Sequence, residues 1–270
     1  MKHTYCLAGF DHSPARRAGG KAFTRVELVV VIAVVGLLSL VLRTTMATSH
    51  DGSDRNVCVN NLKRLATAAM MYALDNQDQM PYPNWGNTEP GNGWLYTPVG
   101  GNPPNLGANP YKTNALPAYQ GGALWPFVQN MWAYRCPLDK TNASYNPYYA
   151  GRANKLCTYI MNGAVCGYGG KSGSRPNSYK LGQFNPNAFM MWEPDENLMS
   201  NGYIVGSFAY NDASSFPDIG EGVGQRHVNG SALATFSGQV EWTSFELFQQ
   251  EQFKRGPSRA WCNPGTADGR

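Results

Sequence analysis

The sequence predicts an α+β fold: a long N-terminal hydrophobic helix, then a second amphipathic helix packed on an antiparallel β-sheet with long loops. Three observations predict it. Residues 23–42 form a nearly unbroken apolar run, residues 55–74 carry apolar side chains at helical spacing, and the second half alternates short apolar segments with turn residues. Gly 30 and Pro 18 in 270 residues, with 15% charged side chains, favour ordered loop over a helical bundle. A hydrophobic content of 42% argues against disorder. The net charge of +4 is local: residues 1–22 hold +3, while residues 44–270 carry sixteen basic and sixteen acidic side chains. With no basic face, nucleic acid is excluded as a partner.

The first element begins Phe23-Thr24-Arg25-Val26-Glu27 and continues apolar to Leu42. Twenty residues of helix span about 30 Å, the hydrocarbon thickness of a bilayer. Arg16, Arg17, Lys21 and Arg25 precede the run and only Arg43 follows closely. The positive-inside rule therefore predicts a single-pass inner-membrane segment, with a cytoplasmic N-terminus and an exported C-terminal domain. A signal peptide cut near Thr45-Met46-Ala47 fits the same topology. Glu27 separates the two readings. A carboxylate in an apolar membrane helix is costly and calls for a partner, for which a signal peptide has no use.

The basic leader, the small residue Ala22, and Phe23-Thr24 followed by Glu27 and an apolar helix resemble the type IV prepilin cleavage and methylation motif, shared with type II secretion pseudopilins. The resemblance implies a pilin-like chain that prepilin peptidase cuts between Ala22 and Phe23, methylating the new Phe23 amine. Glu27, fifth in the mature chain, would pair with the N-terminus of a neighbouring subunit during assembly. Three parts are implied: a cytoplasmic leader at 1–22, a transmembrane and polymerisation helix at 23–48, and an exported domain at 49–270. Ala22 stands where the family usually has Gly, and Arg25 where an apolar residue is common. Further along, Tyr134-Arg135-Cys136-Pro137-Leu138-Asp139-Lys140, Tyr159-Ile160-Met161-Asn162-Gly163, Gly224-Gln225-Arg226-His227 and Trp261-Cys262-Asn263-Pro264-Gly265 are similar to the exported domains of a large pseudopilin-like group. That group usually shows Asp-Gly-His where this chain has Ser237-Gly238-Gln239.

Gly52 is expected to interrupt the helical run, with Ser53 or Asp54 capping a second helix. Leu62, Leu65, Ala66, Ala69, Tyr72 and Ala73 give that helix one apolar face, while Lys63, Arg64 and Thr67 point away. Asp75-Asn76-Gln77-Asp78 ends it and Pro81 prevents resumption. Residues 81–122 contain 23 Gly, Pro or Asn in 42, which leaves no room for a helix of useful length. Trp85, Trp94, Tyr96 and Trp125 punctuate this region, as anchors of long loops or as platforms for sugar rings. Ala188-Phe189-Met190-Met191-Trp192-Glu193 reads as a buried strand ended by Pro194. Residues 232–236 and 239–242 form a hairpin across Ser237-Gly238.

Candidate chemistry is sparse. Removing the leader leaves His50 and His227, too few for a His-rich zinc site, and no CxxC pair suggests a zinc ribbon. No Gly-x-Ser-x-Gly elbow is present to supply a nucleophile. Glu193, Asp195 and Asp212 are candidates for a carboxylate pair in hydrolysis or for calcium ligands, and the family resemblance lends the calcium reading a rationale. Cys6 leaves with the leader; among the remaining five cysteines, Cys157 and Cys166 are the expected disulfide.

Taken together, the expected function is structural and non-enzymatic: a subunit of a type II secretion or type IV pilus-like filament, with prepilin peptidase, other pilin-like subunits and the inner membrane as partners. The alternative is an exported glycan-binding module retaining the N-terminus as an anchor, and less favoured is a hydrolase using Glu193, Asp195 or His227. N-terminal sequencing and intact mass of protein from its own cell envelope should give a chain beginning at methylated Phe23. Ala22→Gly should be processed at least as well, and a bulky residue at this position should block the cut.

Overall fold

The computed structural model describes residues 24–87, 91–142, 148–171, 177–194, 199–200, 203–204, 210–218 and 221–270, with side chains described except at 39–51, 87, 199–200 and 203–204. The chain divides into two compact units, residues 1–48 and 49–270. In order, the elements are α1 (Arg25–Asp75), α2 (Leu116–Gln120), α3 (Trp125–Val128), β1 (Ile160–Asn162), β2 (Phe189–Trp192), β3 (Met199–Ser200), β4 (Tyr203–Ile204), β5 (Ser214–Ser215), β6 (Ser231–Thr235), β7 (Val240–Thr243) and α4 (Phe245–Phe253). Short 3-10 helices sit between them.

The start of α1 is closed by a reciprocal cap. Thr24 donates from its backbone N–H (2.8 Å) and its hydroxyl (2.9 Å) to Glu27 Oε2, and the Glu27 N–H donates back to Thr24 Oγ1 at 3.2 Å. Thr24-Arg25-Val26-Glu27 is thus a capping box, two orphan helix-end donors satisfied by two side chains. At the other end Gln77 and Asp78 adopt positive φ, 57° and 69°, and the Asp78 N–H returns to the Ala73 carbonyl at 2.8 Å. Asp78 then fixes the turn beyond residue 180 by accepting from the Leu181 and Gly182 N–H groups.

Three features of the expected fold class and localisation are corrected. The break at Gly52 is absent, because α1 runs through it. A single internal Gly costs about 1 kcal/mol, too little to stop a helix supported on either side. Second, among the described residues no helix is long and apolar enough to cross a membrane, which overturns the expected hydrophobic spine and single-pass inner-membrane placement. Only fifteen residues separate Glu27 from Arg43, about 22 Å of helix against a hydrocarbon core of about 30 Å. Third, the sheet is mixed rather than antiparallel.

Its order is β5-β1-β2-β6-β7, with β3 and β4 pairing separately. β1–β2, β2–β6 and β6–β7 are antiparallel, whereas β5 lies parallel to β1, Met161 opposite Ser214 and Asn162 opposite Ser215. β2 already occupies one edge of β1, so the chain returns to the other edge after a long connection, the only kind that permits parallel pairing. The β6–β7 hairpin turns at Ser237-Gly238, with the Gly238 N–H bonded to the Thr235 carbonyl at 2.9 Å.

Both sheet faces are covered, and alternation along the strands assigns the side chains. Met161, Ala232 and Ala234 join a core with Leu62, Leu65, Ala66 and Ala69 of α1. Ile160, Phe189, Trp192 and Leu233 face the other way, against Phe248 of α4 and Trp261. The register shifts between Phe189 and Met191, a bulge that lets Met190 and Met191 both enter the α1 side. Small alanines on β6 bring the helix close.

The hairpin turn itself approaches the side chain of Met70 on α1. Gly238 has φ +79°, and a Cβ there would lie 2.3 Å from Met70 Sδ of α1. Gly238→Ala should therefore destabilise by about 1–3 kcal/mol in urea unfolding. Gly256→Ala, at the same φ but facing open space, isolates the backbone cost and should lose less.

Candidate metal centre

Four side chains from four distant segments converge beside the part of α1 in residues 49–75. Cys58 lies on α1 one turn before Leu62, at the rim of the buried helical face. Cys136 follows a 3-10 helix, Met131–Tyr134, which Asn130 caps by accepting from the Trp132 N–H at 3.0 Å. Glu193 directly follows β2, where Pro194 ends the strand, and its carbonyl accepts from the Gly224 N–H at 2.6 Å. That bond draws in the loop bearing His227, which turns into β6 through Asn229 and Gly230, both at positive φ.

His227 Nε2 lies 3.2 Å from Cys58 Sγ, 3.5 Å from Cys136 Sγ and 3.7 Å from Glu193 Oε2. Cys58 Sγ is 4.0 Å from the same carboxylate oxygen. All four donor atoms lie within 4.8 Å of one another, and every one of the residues is buried. The set offers two sulfurs, one imidazole nitrogen and one carboxylate oxygen, a combination suited to a borderline-soft dication.

A second layer of polar groups orients the first. Arg226 Nη1 donates to Glu193 Oε1 at 3.1 Å, which leaves Oε2 to face the sulfurs and imidazole. Arg226 also approaches Asp139, with Nε 3.7 Å from Oδ1, and donates to the Pro194 carbonyl. Asp139 is held by two Arg152 bonds of 2.8 Å each and by the Thr158 hydroxyl at 2.8 Å. Thr158 Oγ1 in turn accepts from the Cys136 N–H at 3.2 Å. The His227 ring packs edge-on against Trp242, whose other neighbour is the Arg55 guanidinium, 4.0 Å from the ring centre.

The electrostatics follow from burial and these contacts. Hydrogen bonding from Cys136, aided by His227 and Tyr159, holds the Cys58 thiol down to about 5. Burial pushes Cys136 upward. Burial likewise raises Glu193 to about 7, with the Arg226 charge opposing. Asp139 ends below the ordinary carboxylate range: burial alone would raise it, but its bonds to Arg152 and the charges of both arginines outweigh that.

Other expected sites resolve differently. Asp212 accepts from the Gly86 N–H at 2.8 Å and the Ser214 N–H at 2.7 Å, tying the Trp85 loop to β5. Among the described residues, Glu193 belongs to a cluster of possible metal ligands that does not include Asp212. Asp195, Ala22 and Phe23 lie outside the described residues. Cys157 and Cys166 are separate buried thiols, which corrects the expected disulfide: Cys157 Sγ accepts from the Tyr159 N–H at 3.2 Å and Cys166 donates to the Gly163 carbonyl at 3.4 Å. Trp94 and Tyr96 are fully buried, with Trp94 Nε1 donating to the Ala213 carbonyl at 2.9 Å, so they anchor the loop and offer no platform to a sugar. Glu27 is engaged in the α1 cap described above.

Cys58 and Cys136 were absent from the expected site because their spacing matches no ligand motif. The available signals were separate: Cys before Pro137, Glu before Pro194, and the Arg226-His227 pair. Arg152→Ala should leave Asp139 as a buried carboxylate with a weaker partner set, and lower stability by about 3–5 kcal/mol. Asp139→Asn combined with Arg152→Ala should recover part of that loss in the same urea titration.

No protein-family model matches the chain, and no solved structure matches it. A 61-residue stretch is 34% identical to the type II secretion system core protein G of Klebsiella michiganensis. The match takes in 23% of this chain and 43% of that protein's length.

Proposed function

We propose that the chain is a pilin-like structural subunit of a type II secretion or type IV pilus-like filament, processed by prepilin peptidase and joined to its neighbours through α1. The observation that carries this reading is exposure: ten large apolar side chains between Val26 and Leu38 are 48–72% exposed in the single chain. They lie on all sides of this short stretch of α1, and exposed apolar surface of this extent marks an association site. The likeness to the type II secretion system core protein supports the same class of assembly, as does the Phe23-to-Glu27 motif. In the assembled state Glu27 exchanges part of its bonding with Thr24 for the cationic N-terminus of a neighbour, a charge pair that fixes register between subunits.

Crosslinking between subunits in cells that carry the secretion system tests this. Val31→Lys places a charge among packed helices and should reduce crosslinked multimers at least tenfold, with the amount of folded chain unchanged. Glu27→Gln keeps an acceptor for the Thr24 cap but removes the charge, and should reduce multimers as well. Parental levels of multimer and of secretion in both variants would overturn the reading.

A further inference from the structure

The geometry points to a zinc site: we infer that Cys58 Sγ, Cys136 Sγ, His227 Nε2 and Glu193 Oε2 bind one Zn²⁺ in a closed, four-coordinate structural centre. The inference is independent of filament assembly. Typical zinc bonds of about 2.3 Å to sulfur and 2.0–2.2 Å to nitrogen or oxygen give tetrahedral edges of about 3.4–3.8 Å. Of the six donor separations, four measure 3.2, 3.5, 3.7 and 4.0 Å and all lie within 4.8 Å, close to that range before any ion draws the ligands in.

Three further features fit a metal. Glu193 presents one oxygen to the cluster while Arg226 holds the other, the outer-shell arrangement that orients a metal-bound carboxylate. Tyr159 is fully buried with its hydroxyl beside the Cys58 thiol, so a polar group already faces the cluster. Charge also balances: with zinc present, two thiolates and the carboxylates of Glu193 and Asp139 are offset by the dication and the guanidiniums of Arg226 and Arg152. Coordination releases to solvent whatever protons the two sulfurs carry.

Burial decides the role. The four ligand residues are at most 2% exposed, so no coordination position opens to solvent and the centre is structural. The ion would join α1 to three segments whose ligands lie 78, 135 and 169 positions away from Cys58 along the chain. A cross-link closing such long loops removes much of the freedom of the unfolded chain.

The test uses the full chain purified under reducing conditions with zinc in the growth medium. Elemental analysis should find about one zinc per chain, and removal by a chelator should lower the thermal midpoint by at least about 10 °C, with recovery on adding Zn²⁺ alone. Refolding with Co²⁺ should give the visible bands of tetrahedral cobalt together with sulfur-to-metal charge transfer. Cys136→Ser should lose the metal, whereas Cys166→Ser, a buried thiol outside the cluster, should keep it. If Cys136→Ser fails to fold, refolding of the parent decides. A parent that refolds from chelator to the same midpoint with and without zinc overturns the proposal. So does zinc content unchanged in folded Cys136→Ser.

Discussion

The buried carboxylate of Asp139 is the constraint on which the centre of this protein depends. Its side chain is 1% exposed, and an ion so placed is tolerable only with full compensation. Arg152 supplies a two-point pair, Arg226 a second cation, and Thr158 a hydroxyl that passes the constraint to the Cys136 backbone. Through Arg226 the same carboxylate reaches Glu193 and the end of β2. Removing either arginine or the carboxylate of Asp139 would leave an under-compensated charge in the interior, so these groups depend on one another.

Much of the local structure was legible because it rests on short-range rules. The face of α1 that enters the core, Leu62, Leu65, Ala66 and Ala69, follows from helical period alone. The β6–β7 hairpin follows from two apolar segments around Ser237-Gly238. What was not legible depends on distant parts of the chain. The parallel β5 has two residues and no pattern of its own; its place is set by the free edge of β1. The Cys58-Cys136-Glu193-His227 cluster is assembled by packing across more than a hundred residues, so no spacing rule could reveal it. At the N-terminus, Thr24 and Glu27 already carried the sequence pattern of a capping box, which the expectation of an assembly carboxylate passed over.

The two units also divide the physical tasks. Residues 49–270 bury their apolar side chains internally, on both faces of a thin sheet and under anchored loops. Residues 24–38 do the opposite and present valine, leucine and isoleucine to solvent. Such a surface has a large driving force for burial, which the described residues do not meet.

The edges of the sheet add a consequence. β5 offers two residues, too few to template a partner strand, and β7 carries Glu241 paired with Arg259 at 2.6 Å and Trp242 covered by Arg55. Short and charged margins discourage backbone pairing between molecules. Neither margin of the five-stranded sheet therefore presents a long, flat, apolar edge onto which the backbone of a second molecule could add.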